Sequence, residues 1–270
     1  MSSLSNASPR SLLALAITSL LLASAAHADT PADASAPTLD AVQVTADGEI
    51  RNGYTVKHAN TATKLDLSLR ETPQSVTVIT RQRLDDMGLF ALSDVMGQVT
   101  GVHVSVTDSE RINYVSRGYN ITNFQVDGML NTFGGSIKTN TDNVIYERIE
   151  VIRGATGLTT GAGDPSGTIS MVRKRPTDTV QMGANLILGR WGNQRMEVDL
   201  GGPIAWDGRI RARVVAAKQQ SDSFRDVYKL DKDVFYGIVQ ADLTDSTLFE
   251  LGYEYQSPRT TGVTWGVVPY

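Results

Sequence analysis

The densest concentration of chemically suggestive residues in this chain lies between Tyr146 and Pro176, YERIEVIRGATGLTTGAGDPSGTISMVRKRP. Gly154, Gly157, Gly161, Gly163 and Gly167 stand here around Asp164-Pro165. Closely spaced glycines can cradle a phosphate, because backbone N–H groups approach an anion that no Cβ keeps away. That chemistry needs a Lys followed by Ser or Thr at the end of the loop and a helix beyond it, and neither follows Gly161 or Gly167. A nucleophile elbow fails too, since Ser166 sits in GDPSG and not in a G-x-S-x-G frame. His27, His58 and His103 show no metal-ligand spacing, and cysteine is absent. With no constellation of nucleophile, base and metal, the chain reads as a non-enzyme with no metal site of its own. A net charge of −4 argues against nucleic acid as partner.

The same residues make sense as backbone devices. Ile149, Val151 and Ile152 alternate with Arg148, Glu150 and Arg153, which predicts a strand buried on one face and ending at Gly154. The glycines and Asp164-Pro165 then turn the chain back tightly. Thr168 to Val172 reads as a second strand, closed by Arg173-Lys174-Arg175-Pro176. Upstream, Val76, Val78 and Ile79 form a strand, and Thr80 caps a short helix over Arg81 to Met87 with Gly88 behind it. A second short helix fits Ser93 to Gln98.

At the N-terminus, Arg10, the apolar run Ser11 to Ala25 and the Ala26-His27-Ala28 cleavage site predict a Sec signal peptide over residues 1–28. That run is shorter than the ~20 residues a spanning helix needs. Asp29 to Pro37, rich in Ala, Pro, Asp and Ser, cannot order itself by apolar burial. Beyond Pro176 the texture turns to alternation: Phe249, Leu251, Tyr253 and Tyr255 against Glu250, Gly252, Glu254 and Gln256. Looser alternation covers Gln181 to Gly189, Arg195 to Leu200, Arg209 to Lys218 and Val234 to Leu243, with tight turns at 205–208 and 244–246 and a long polar loop from Gln219 to Asp233. Taken alone, these strands suit a soluble β-sandwich as well as a membrane barrel.

The run from Tyr146 to Pro176 resembles the last segment of the plug of TonB-dependent outer-membrane receptors, of the form ERIEVIRGPxGLxYGxGxPGGxxNxVxKRP, with departures at Ala155, Thr160, Ser166 and Ser170. ETPQSVTVIT at 71–80, the segment Tyr114 to Tyr119 and the VDG at 126–128 resemble other landmarks of that plug, in order. The resemblance implies an α+β plug domain, residues 64–176, followed by an antiparallel transmembrane β-barrel in the outer membrane of a Gram-negative bacterium. Barrels of this kind have about 22 strands around a plugged lumen. The chain reaches about five of them before Tyr270, so a truncated barrel over 177–270 is expected. Residues 29–63 become a flexible segment carrying a TonB box at 39–46, where Val42, Gln43, Val44, Thr45 and Ala46 would add a strand to TonB, itself powered by ExbB-ExbD. An ordinary N-terminal strand is the competing reading of that island. The additional signalling domain of some members, about 80 residues, finds no room before the box.

The cargo that the resemblance implies is a ferric siderophore, hydroxamate or mixed-chelate, with iron arriving inside the chelate and no resident cofactor. Chelate oxygens suit Arg donors and chelate faces suit aromatic rings. Arg117 matches the Arg of the family's IRGF motif, Tyr119 the adjacent aromatic, Phe133 and Gly134 a second apical loop, and Trp265 the T-W-G-x-x-P run at the barrel rim. A structural arginine, plug packing for Tyr119 and a membrane-girdle role for Trp265 are the alternatives. Other cargo, such as cobalamin, haem or glycan, would keep the architecture. Arg148, Glu150, Arg153, Arg173, Lys174 and Arg175 are expected to pair between plug and barrel wall.

Overall fold

The computed structural model describes residues 53–56, 58–59, 62–63, 65, 67–131, 141–161 and 165–264, all within one compact unit, Asp47–Tyr270. Two minimal strands, β1 (His58–Ala59) and β2 (Leu67–Ser68), pair antiparallel at its start. The plug sheet then contains β3 (Ser75–Thr80), β7 (Asn123–Val126), β8 (Met129–Leu130), β9 (Tyr146–Arg153) and β10 (Gly167–Arg173), in the order β3-β9-β10-β7-β8. Only β7 and β10 run parallel. A second sheet holds β4 (His103–Val106), β5 (Ile112–Ser116) and β6 (Tyr119–Asn120).

The alternation in β9 predicted burial on one face, but consecutive residues, pointing to opposite faces, are buried. Ile149, Glu150, Val151 and Ile152 are all fully buried. Against this sheet pack α1 (Arg81–Asp86) and α2 (Leu92–Met96), contributing Leu84, Leu92, Val95 and Met96 to a core with Ile79, Ile145, Ile149 and Ile169. Thr80 caps α1 by accepting from Arg83 N at 3.4 Å. The second helix starts earlier than its apolar pattern suggests because the Asp94 carboxylate accepts from Ala91 N at 2.9 Å and closes the first turn. One further turn, α3 (Gly157–Thr160), occupies the glycine-rich run.

Gly167 explains why one of those glycines has to be glycine. Its φ of 150° and a would-be Cβ only 2.4 Å from Ile152 O leave no room for a side chain beside β9. Gly167→Ala should destabilise the plug by about 2–4 kcal/mol, the sum of backbone strain and a forced separation of β9 from β10. A lowered urea midpoint for plug unfolding would show it; an unchanged midpoint would mean that the β9–β10 register yields cheaply.

After the plug, β11 (Gln181–Leu188), β12 (Gln194–Ala205), β13 (Ile210–Asp222), β14 (Lys229–Thr244) and β15 (Thr247–Thr261) form a simple antiparallel meander. The strands are longer than alternation suggests. β12 continues through Gly201-Gly202-Pro203, still paired with β13, and position 202 takes glycine because Val180 Cα lies 2.9 Å from where a Cβ would sit. The polar stretch from Gln219 to Asp233 is mostly strand, leaving only 223–228 as the connection. Its outward side chains are as polar as its inward ones, which hides the two-residue period.

The two faces of the wall differ sharply. Val215, Ala217, Val234, Tyr236 and Ile238 are buried against the plug, while Phe235, Val239, Leu243, Phe249, Leu251, Tyr253 and Tyr255 are exposed on the other face. The outward run from Phe235 to Leu243 spans roughly 20–25 Å across a tilted strand, which matches the apolar band of an outer-membrane barrel.

Candidate functional site

The β5–β6 hairpin turns on Arg117 and Gly118, both with positive φ, 54° and 85°. Glycine takes that conformation freely, whereas an arginine there is uncommon and carries backbone strain. Arg117 is exposed, and its guanidinium lies over Gly154 at the end of β9, where a Cβ would come within 3.1 Å of Nη1. It makes no hydrogen bond or ion pair to the described residues apart from this contact. Tyr119 follows directly and is 53% exposed, so it does not pack inside the plug. The fold thus brings Arg117 and Tyr119 to one strained hairpin. Phe133, Gly134, Trp265 and the segment Val42 to Ala46 lie outside the described residues.

The opposite end of β5 touches the wall. Tyr228 Oη donates to Glu110 Oε1 at 3.1 Å, and Thr264 N donates to Ser109 Oγ at 3.0 Å, which ties the residue before Trp265 to the plug. At the other end of the plug, Thr80 Oγ1 donates to Gly53 O at 2.7 Å and Tyr54 Oη to Asp86 Oδ2 at 2.7 Å. The chain arriving from the predicted TonB box is therefore held on α1.

Of the charges expected to join plug and wall, Arg173, Lys174 and Arg175 do so. Arg173 bonds Asp127 at 2.7 Å within the plug and reaches Glu254 at 3.5 Å on β15. Lys174 Nζ lies 2.8 Å from Asp199 on β12, and Arg175 3.7 Å from Glu250 on β15. Arg148, Glu150 and Arg153 do not. Arg148 pairs with Glu150 at 2.7 Å, and Arg153 donates to Thr100 O, to Ser75 Oγ and to Thr77 Oγ1. All of these partners belong to the plug, whereas Glu147 on the same strand lies 3.8 Å from Arg213 of the wall.

The strongest link between plug and wall is one that local sequence does not announce. Asp142, fully buried, accepts from Arg195 Nη1 and Nη2 at 2.8 Å each, from Val144 N at 3.0 Å and from Lys232 Nζ at 3.3 Å. Its own N–H donates to Gln256 Oε1 at 2.8 Å. Arg195 also bonds Glu197 at 2.6 Å and stacks over Phe90, with its guanidinium carbon 4.7 Å from the ring centroid. Burial by itself would push the Asp142 carboxyl up, but the Arg195 hydrogen bonds and the Lys232 charge outweigh it and hold the group below the usual carboxylate range. A second node joins Asp199 to Arg213 and Lys174, beside a polar gap of about 240 Å³ between plug and wall. Only the wall's register sets Arg195 and Lys232 opposite Asp142, so nothing around Asp142 in TNTDNV signals the contact.

A plug with an apolar core, tied by charged pairs to a five-stranded antiparallel sheet whose other face is apolar, is an arrangement with a family. Residues 68–168 match the TonB-dependent Receptor Plug Domain. The chain is 42% identical over 244 residues, 89% of its length, to the Ferric-pyoverdine 358 receptor of Pseudomonas putida, of which it covers 30%. It belongs to the TonB-dependent receptors. Among solved structures, the ferripyoverdine receptor of the outer membrane of Pseudomonas aeruginosa matches with a TM-score of 0.77 and 44% identity, over 79% of this chain and 29% of that one. The alcaligin outer-membrane receptor of Bordetella pertussis matches with a TM-score of 0.70 and 41% identity, over 78% and 36%. The chain spans about 30% of the length of the curated relatives it matches. As a TonB-dependent receptor it is an outer-membrane protein, with β11 to β15 forming part of a barrel wall around the plug.

Proposed function

We propose that the protein containing this chain binds a ferric siderophore of the hydroxamate or mixed-chelate class and carries it across the outer membrane with energy delivered through TonB and ExbB-ExbD. The observation that carries this reading is the 42% identity, across both plug and wall, to a receptor named for ferric pyoverdine. Iron in this scheme is cargo inside its chelate, and the protein supplies only side chains to the chelate surface.

Arg117 and Tyr119 are the described residues we assign to cargo. A guanidinium offers a fork of donors that suits adjacent chelate oxygens, and an exposed ring beside it offers a face. Backbone strain is retained where the surroundings hold it in place, and Arg117 at φ 54° has that character. Phe133, Gly134 and Trp265 would complete the pocket.

Arg117→Ala should weaken ferric-siderophore binding about 10- to 100-fold, the worth of a charge-assisted donor in a desolvated site. Arg153→Ala should leave affinity within a few fold, since its partners Ser75, Thr77 and Thr100 are internal to the plug. Quenching of tryptophan emission by a panel of ferric chelates measures both. Equal losses in the two variants, or none at Arg117, would place the binding face of the plug elsewhere.

A further inference from the structure

The second face of the plug sheet is polar where it is most deeply buried. Along β9 and β10, Ile149, Val151, Ile169 and Met171 point into the apolar core, so Glu150 and Ser170, one step out of phase, point to the opposite face. On β7 the same holds for Gln125 beside the core residue Phe124. Strand register sets the three in one row, with Ser170 opposite Glu150 on one side and opposite Gln125 on the other. All three are at most 1% exposed.

Each member of the row carries a polar atom without a partner. Arg148 Nε donates to Glu150 Oε1 at 2.7 Å, but Glu150 Oε2, Ser170 Oγ and Gln125 Nε2 are buried and make no hydrogen bond to the described residues. Their chemistry is complementary: the amide N–H only donates, the carboxylate oxygen only accepts, and the hydroxyl does either. Direct contact does not join the ends of the row, because β10 separates Glu150 from Gln125 and their backbones stand roughly 10 Å apart. One step along the same face, Thr168 Oγ1 lies 2.7 Å from Thr156 Oγ1, so side chains here pair directly where they reach. Position 170 explains why the row does not. Where the plug motif carries Asn, this chain has Ser170, a shorter side chain that brings no amide. Buried polar atoms pair with protein or with ordered water, and one buried water commonly satisfies about three of them. We propose that an internal water is built into this row, accepting from Gln125 Nε2 and donating to Glu150 Oε2 and Ser170 Oγ, and that it ties β7 to β9 across β10 in place of an Asn side chain. The proposal rests on the plug fold and not on the ferric-siderophore reading.

A double-mutant cycle in the purified protein tests this, with Glu150→Met and Gln125→Met read by urea unfolding of the plug. Residues that share no partner have effects on the unfolding constant that multiply to within about twofold. A shared water makes the second loss cheaper, so the double variant should be at least about fivefold more stable than the product of the single effects. Loss of the Arg148 pair enters the single and the double variant alike and cancels. Simple multiplication of the two effects overturns the proposal. Ser170→Asn supplies the amide in the water's place and should hold or raise the folding constant, because bonds made by the protein no longer immobilise a solvent molecule. A fall of about tenfold or more, the sign of overpacking, would mean that the row has no room for a water and would overturn the proposal as well. Should the Met variants not fold, a crystal structure of the wild-type protein that shows ordered solvent decides. Density within hydrogen-bond distance of all three atoms, lost in Ser170→Asn, is the expected result; density touching fewer of them, or none, sinks the idea.

Discussion

Asp142→Ala is expected to loosen the plug from the barrel wall by about 3 kcal/mol, more than a hundredfold in the docking equilibrium. The substitution removes the only carboxylate that both Arg195 and Lys232 contact among the described residues. Breaking a buried pair costs about 3–5 kcal/mol because the charge left behind has lost its water and gained nothing. The low end applies here, since Arg195 keeps Glu197 at 2.6 Å and Gln219 at 3.0 Å. Solute leakage through the receptor and a lowered first thermal transition are the readouts. A pH series adds a second check. The folded carboxyl is held below its ordinary value, so its contribution is complete above about pH 4 and is lost as pH falls through the folded value. Wild-type docking should therefore weaken only in strong acid, and the variant should lack that component. Wild-type leakage in Asp142→Ala would mean that the remaining plug–wall contacts suffice to hold the plug.

Val44→Pro is expected to abolish siderophore uptake while leaving ferric-chelate binding within about twofold. An added strand is held by main-chain hydrogen bonds, and proline removes a donor at the centre of the segment that we assign to TonB. The chelate pocket and the box communicate only if occupancy of one changes exposure of the other. Thr80 and Asp86, beside and on α1, hold Gly53 and Tyr54. Transport assays with radiolabelled iron separate the two outcomes. A transporting Val44→Pro protein would show that the box has been misassigned.

Local sequence determined much of this protein because several of its requirements are local. Backbone turns that exclude a Cβ call for glycine wherever they occur, so Gly154 and Gly167 could be read directly, and the two-residue alternation of β15 revealed a wall with one apolar face. Helix caps such as Thr80 act within a turn and were legible for the same reason. What tertiary structure decided were the partnerships. The sequence shows that Arg148 and Arg153 are charged, but the fold sets Glu150 beside the first and Ser75 and Thr77 beside the second, whereas Glu147 on the same strand meets Arg213 of the wall. Conversely, Asp142 gains Arg195 and Lys232 from two strands, 53 and 90 residues further on, only when β12 and β14 take their register. The hairpin beneath Arg117 shows the same division: its Arg-Gly turn is written in neighbouring residues, whereas the bed its guanidinium takes over Gly154 exists only once β5 and β9 are brought together. Charges act through space and pair with whatever the fold sets beside them, so their partners cannot be read from the chain until the strands are in register.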